Sequence, residues 1–180
     1  MAYVLPDGIP ATDDWPSECA WLHDPRRLNF SWVDVNVAGC ECPKLDKDLA
    51  FLKQQGITAL VGIWEEGKSS APTERKVLRN GLIRFLREPI PDFTAPPPDQ
   101  TTRILAWIDE SIRDGHKVAV ACGYGEGRTG TVLSCYFISR GLQPSDALRV
   151  MCERGRIPYE NQHQRDFILA FAPSPTTTPY

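Results

Sequence analysis

Val118-Ala119-Val120-Ala121 leads straight into Cys122-Gly123-Tyr124-Gly125-Glu126-Gly127-Arg128-Thr129-Gly130, which in turn enters Val132-Leu133-Ser134-Cys135-Tyr136-Phe137. The short valine-rich run reads as a buried strand. Alternating glycines permit a tight turn with its N–H groups facing inward. The stretch after the turn is apolar on nearly every side, which predicts a buried helix over Thr129–Arg140 that stops near Gly141. Amides of such a turn, with the first free N–H groups of the helix, form an anion-binding nest at the positive end of the helix dipole. Gly123, Tyr124, Gly125, Glu126 and Gly127 would supply that nest. Arg128 adds a planar fork that can grip two phosphate oxygens, which a lysine cannot reproduce.

The same field favours the thiolate form of a cysteine standing where Cys122 does. Five residues separate it from Arg128, so the chain can curl until sulfur and guanidinium face one centre. Thiolate attack on phosphorus at that centre would give a phosphocysteine. Other glycine-rich turns fit less well. A dinucleotide-binding turn needs an acidic residue after a second strand, and a Walker loop needs Gly-Lys-Ser/Thr. A structural turn with an incidental cysteine explains neither Arg128 nor the three glycines.

These residues resemble the Cys-x5-Arg-Ser/Thr signature of the cysteine-dependent protein tyrosine phosphatases. Asn29-Phe30-Ser31-Trp32-Val33, Gly56-Ile57-Thr58-Ala59-Leu60-Val61 and Ile90-Pro91-Asp92-Phe93 extend the resemblance to the small atypical dual-specificity phosphatases, over about residues 25–172. The resemblance implies Cys122 as nucleophile, Arg128 as phosphate ligand, Thr129 as the hydroxyl assisting the leaving thiolate and Asp92 as general acid. A carboxyl on a loop between strand and helix suits that last task, because an expelled alkoxide or phenolate needs a proton in the transition state. The competing role for Asp92 is a helix cap, for which Asp99 is better placed, directly before Ile104, Leu105, Ile108 and Ile112. Ile157-Pro158-Tyr159-Glu160-Asn161-Gln162 resembles the segment whose glutamine orients the hydrolytic water. Gln162 matches it, and a slip of two residues would select Gln164.

Two residues depart from the pattern. Ala121 stands where the family has histidine, which implies a lower rate with unchanged chemistry. Glu126 puts a carboxylate inside a loop built to attract anions. Pointing outward it would be neutral; pointing inward it would disfavour highly anionic substrates or favour a neighbouring cationic group.

The chain has 180 residues, 42% of them hydrophobic, enough for one globular domain with a real core. A net charge of −3 argues against a general nucleic-acid binder. There is no apolar run of membrane-spanning length, no basic-apolar leader, and Ala rather than Gly at position 2. A soluble protein of the cytoplasm or nucleus is expected, and a catalytic thiol also suits a reducing compartment. Cys40 and Cys42 lie in a loop-like Gly-Cys-Glu-Cys-Pro run; without a second pair or a nearby histidine they are weak evidence for a zinc site.

The alternating strand and helix patterns predict an α/β single-domain fold of the dual-specificity phosphatase type, a central mixed sheet flanked by helices. Residues 1–24 read as an extension packed through Trp15 and Trp21, residues 25–172 as the phosphatase domain and residues 173–180 as a flexible tail. Helices are predicted over Leu45–Gln55, Asp99–Arg113, Thr129–Arg140, Ser145–Arg154 and Tyr159–Phe171. Strands are predicted over Thr58–Trp64 and Leu82–Arg87, with a polar loop over Glu65–Thr73. The resulting expectation is a metal-independent phosphomonoesterase with no cofactor, acting on phosphotyrosine proteins or peptides, with phosphoserine and phosphothreonine as further substrates. Nucleic acid and membrane are not expected partners. Two alternatives stay open: a non-protein substrate (phosphoinositide, inositol phosphate or RNA 5′ phosphate), or a catalytically weak phosphate-binding module.

Overall fold

A computed structural model describes residues 27–65 and 71–173. The expected extension at residues 1–24, with Trp15 and Trp21, lies outside the described residues, as do residues 66–70 of the polar loop and 174–180 of the tail. Five strands, β1 (Ser31–Trp32), β2 (Val37–Glu41), β3 (Ala59–Gly62), β4 (Arg84–Arg87) and β5 (Val118–Cys122), form one sheet in the order β1-β2-β5-β3-β4. β1 runs antiparallel to β2 and every other pairing is parallel, so the sheet is mixed. The helices are α1 (Asp46–Gln54), α2 (Glu74–Arg79), α3 (Pro98–Arg113), α4 (Gly127–Ser139), α5 (Pro144–Glu153) and α6 (Gln162–Ala170).

β5 is central because every residue in it is buried, with a strand on either side. Alternation along it feeds two cores. Val118, Val120 and Cys122 join α3, α4, α5 and α6 on one face, through residues such as Ile104, Ile108, Leu133, Phe137, Val150 and Ile168. Ala119 and Ala121 join the opposite face with Leu49 and Leu52 of α1 and Val77 of α2. Each large aliphatic side chain buried this way contributes roughly 1.5–3 kcal/mol. α4 is buried from Gly127 to Ile138, as its all-round apolar sequence predicts. It carries its N-terminus directly to the end of the central strand, and this fixes the position of the loop.

Several boundaries differ from the sequence expectation. Pro97 caps α3 and Pro98 opens it, so Asp99 is not the cap; it sits in the first turn and pairs with Arg103 Nη1 at 2.7 Å. Proline lacks an N–H and has a helical φ, which favours it at the first helical position. α6 starts at Gln162 rather than Tyr159, because the Asn161 side chain accepts from Gln164 N and stops the helix extending back. α4 starts two residues earlier than expected, at Gly127, and so includes Arg128. Cys40 is not in a loop: it lies in β2, opposite Ala121. Its run of Gly, Cys and Glu has weak strand propensity, and the partner strand supplies the order. α2 also formed where no helix was predicted, capped by Thr73 Oγ1 accepting from Lys76 N.

Candidate active site

Cys122 is the last residue of β5, and its side chain is 3% exposed. Gly125 N donates to its sulfur at 3.2 Å, so this loop amide faces the thiol. Gly125 has φ +77°, and a Cβ there would meet Cys40 C at 2.5 Å. Both the left-handed backbone and the close packing on β2 therefore require glycine. A Cβ on Gly123 would lie 3.2 Å from Arg128 Nη2, which shows the guanidinium reaching back to the residue beside the cysteine. Tyr124 is exposed, Glu126 is half-buried at the N-cap of α4, and Gly127 opens the helix. Thr129 is fully buried and its Oγ1 has no hydrogen-bond partner.

Arg128 is 2% exposed. Its Nη1 donates to Ile90 O at 2.9 Å, and its Nη2 lies 2.8 Å from Asp92 Oδ1. Glu65 Oε2 stands 3.9 Å from Nη1, and Glu65 Oε1 accepts from Asp92 N at 3.3 Å. The Pro91-Asp92-Phe93 segment, between β4 and α3, is thus folded onto the arginine of the loop. Phe93 has φ 58°, a left-handed conformation costing roughly 1–3 kcal/mol at a bulky residue. That kink is pinned from α6: Asn161 Nδ2 donates to Phe93 O at 2.8 Å, and Gln164 Nε2 to Thr94 O at 3.2 Å.

The two glutamines differ. Gln162 lies at the exposed start of α6, with its amide on Asp166 Oδ1 at 2.5 Å. Gln164 is fully buried; besides its bond to Thr94, its Oε1 accepts from Glu160 N at 2.7 Å. In this arrangement Gln164 holds the aspartate loop, while Gln162 faces along its own helix.

Sequence reasoning assigned no role to Arg156. This guanidinium is 2% exposed. Its Nη1 donates to Asn29 O at 2.7 Å, Ser31 Oγ at 3.1 Å and Gly39 O at 3.0 Å, and its Nη2 donates to Gly125 O. A Cβ on Gly39 would stand 2.6 Å from Arg156 Nε, so glycine there makes the room. Arg156 follows a charged helix end and reads as a surface residue in the sequence. Only Gly39, 117 positions away, marks its place.

Carboxylates surround the loop. Glu160 packs beside Gly127, where a Cβ would lie 2.1 Å from its Oε2. Glu160 is exposed overall, but partial desolvation of its carboxyl against the start of α4 raises it above the usual range; the Glu126 and Asp92 charges add to the effect and that of Arg128 opposes it. Ala121 is fully buried in the core on the α1 side of the sheet.

Residues 27–167 match the family described as PTP-SAK, Swiss Army Knife protein, DSP-PTPase phosphatase domain. The structure of Tk-PTP in its active form superposes with a TM-score of 0.69 at 32% identity, covering 78% of this chain and 93% of that one. PTPMT1 in complex with PI(5)P gives a TM-score of 0.68 at 16% identity, covering 78% of this chain and 92% of that one. An uncharacterized protein of Methanocaldococcus jannaschii, MJECL20, is 31% identical over 91 residues, which span 49% of this chain and 60% of that protein. Among the described residues, no helix is long and apolar enough to cross a membrane. The match spans both the sheet and the loop that joins Cys122 to Arg128, and by it this chain belongs to the DSP-PTPase phosphatase-domain family.

Proposed function

We propose that the protein is a metal-independent phosphomonoesterase that works through a phosphocysteine on Cys122, with phosphotyrosine proteins or peptides as substrates and phosphoserine and phosphothreonine as further ones. The observation that carries this reading is the joining of three groups on one loop cluster. Gly125 N–H is directed at the Cys122 sulfur, Arg128 reaches back to Gly123, and Asp92 lies on Arg128.

The substrate dianion takes the inward amides and the Arg128 fork, displacing the Asp92 carboxyl toward the leaving group. The Cys122 thiolate forms a bond to phosphorus as the phosphorus–oxygen ester bond breaks, and Asp92 gives its proton to the departing oxygen. Water then attacks the phosphocysteine. Asp92 takes a proton from it, the sulfur–phosphorus bond breaks, and the unpartnered Thr129 hydroxyl can donate to the returning thiolate. Gln164 and Asn161 support Asp92 by fixing its loop. A location in the cytoplasm or nucleus goes with this reading.

A second reading, a lipid or inositol phosphate substrate, has the fold of PTPMT1 behind it. The carboxylates Glu65, Glu126 and Glu160 beside the loop weigh against polyanions, because each added phosphate meets the same repulsion. A binding module would need no acid, and the placement of Asp92 favours turnover. Phosphate release from a phosphotyrosyl peptide, a phosphoseryl peptide and a phosphoinositide at matched ionic strength separates these readings. The expected order puts the phosphotyrosyl peptide first and is unchanged by chelator. A preference for the phosphoinositide would transfer the assignment to lipid.

A further inference from the structure

We infer that Asn29 and Arg156 form one bracket behind the phosphate loop that sets the direction of its amides; the inference rests on the phosphatase reading of that loop. A trans peptide points its carbonyl and its N–H to opposite sides, and no peptide here is cis among the described residues. Asn29 Nδ2 donates to Tyr124 O at 3.1 Å, and the N–H of that same peptide, Gly125 N–H, is the one directed at the Cys122 sulfur. Arg156 Nη2 takes the next carbonyl, Gly125 O, which turns Glu126 N–H to the far side of its peptide from Arg156. Two consecutive amides of the loop are therefore aimed by pulling on their carbonyls from behind.

The two brackets are one unit. Arg156 Nη1 donates to the backbone carbonyl of Asn29 at 2.7 Å, so the residue that holds one peptide is itself held by the residue that holds the next. Leu28 and Asn29 have φ 58° and 44°, two successive non-glycine residues in the left-handed region. That conformation persists only where surrounding contacts over-determine it. Here it lets Asn29 present its amide to Tyr124 and its carbonyl to Arg156 together. Gly39, which leaves the space for the guanidinium, is a further element of the same arrangement. With alanine at 121 and no side chain from that position reaching the loop from the strand, aim of the amides falls to this bracket. Asn29 and Arg156 are positioning residues: they act on an oxyanion through the loop peptides.

The test is protection of Cys122 from iodoacetamide by inorganic phosphate, which needs no substrate. Asn29→Gly tolerates the left-handed backbone and removes the donor, while Asn29→Asp keeps the shape without the donor. Both should retain the parent's melting temperature and need roughly tenfold more phosphate for half-protection, the effect of one loop N–H no longer aimed at the anion, which is a hydrogen bond to a charged group. Arg156→Lys, which keeps the charge but cannot bridge these carbonyls, should lose protection at least as far, and combining it with Asn29→Gly should add little. Unchanged protection in both Asn29 variants would overturn the bracket. A parent that phosphate protects but that turns over no phosphomonoester would count against the phosphatase reading and leave the bracket standing.

Discussion

The Asp92 carboxylate lies 2.8 Å from Arg128 Nη2, so the residue assigned to deliver the proton and the residue assigned to hold the phosphate are ion-paired to each other. On the proposed reading, phosphate and carboxylate would compete for the same arm of one guanidinium. Asp92→Asn should therefore do two opposed things. It removes a competitor, so KM should fall. It also removes the proton donor, so kcat should drop by roughly 100-fold to 10,000-fold for poor leaving groups and far less for good ones. A series of aryl phosphates of graded leaving-group acidity reads both effects. Equal losses across the series would contradict the acid role.

Glu160 presses its carboxylate against the start of α4 beside Glu126 and Asp92. A carboxyl raised above its ordinary range stabilises the fold while protonated, and that contribution is lost as pH rises through its folded value. Glu160→Gln should accordingly melt at a higher temperature than the parent near pH 7, and the difference should vanish below about pH 4, the ordinary glutamate range. Thermal melts from pH 3 to pH 8 check the sign. A variant less stable at pH 7 would show that attraction to Arg128 outweighs burial and repulsion.

Cysteine labelling gives a third test. Burial pushes Cys42 up to about 12 and drives Cys40 and Cys135 higher. All three should stay as unreactive thiols at neutral pH while Cys122 is alkylated. Peptide mapping after brief iodoacetamide treatment of the folded protein should find the label on Cys122. Equal labelling of Cys40 or Cys42 would place those thiols in a more open environment than the sheet provides.

Ala121 faces a filled core, opposite Cys40 on β2 and Gly62 on β3, in the same apolar cluster as Leu60 and Ala119. Ala121→His should overpack this layer and cost about 1–3 kcal/mol in denaturant unfolding. The parent should already release phosphate from an aryl phosphate. A silent parent with an active Ala121→His variant would contradict the enzyme reading and favour a binding module.

The loop was legible in the sequence because its physics is local. Strand, glycines and helix start follow one another within Val118–Gly130, and the structure keeps that order. The mixed α/β sheet was legible from the alternation of elements. What could not be read is carried by contacts between distant segments. β2 is a strand because β5 and β1 flank it, although Gly39-Cys40-Glu41 alone looks like a loop. Arg156 bonds to Gly39, and Asn29 to Tyr124, across 117 and 95 positions. Gln162 and Gln164 sit two residues apart on one helix, and only tertiary structure separates the exposed amide on Asp166 from the buried one on Thr94. Asp99 had a capping side chain, but Pro98 one residue earlier fixed where α3 begins.

Rapid quenching of the protein during turnover of an aryl phosphate, followed by mass analysis of the peptide that contains Cys122, tests the central claim most directly. One phosphoryl group should appear on that peptide within the first turnover, in the presence of chelator, and should be absent from Cys122→Ser, which should release no phosphate. Steady phosphate release by Cys122→Ser, or turnover by the parent with no phosphoryl group ever found on Cys122, would contradict the account.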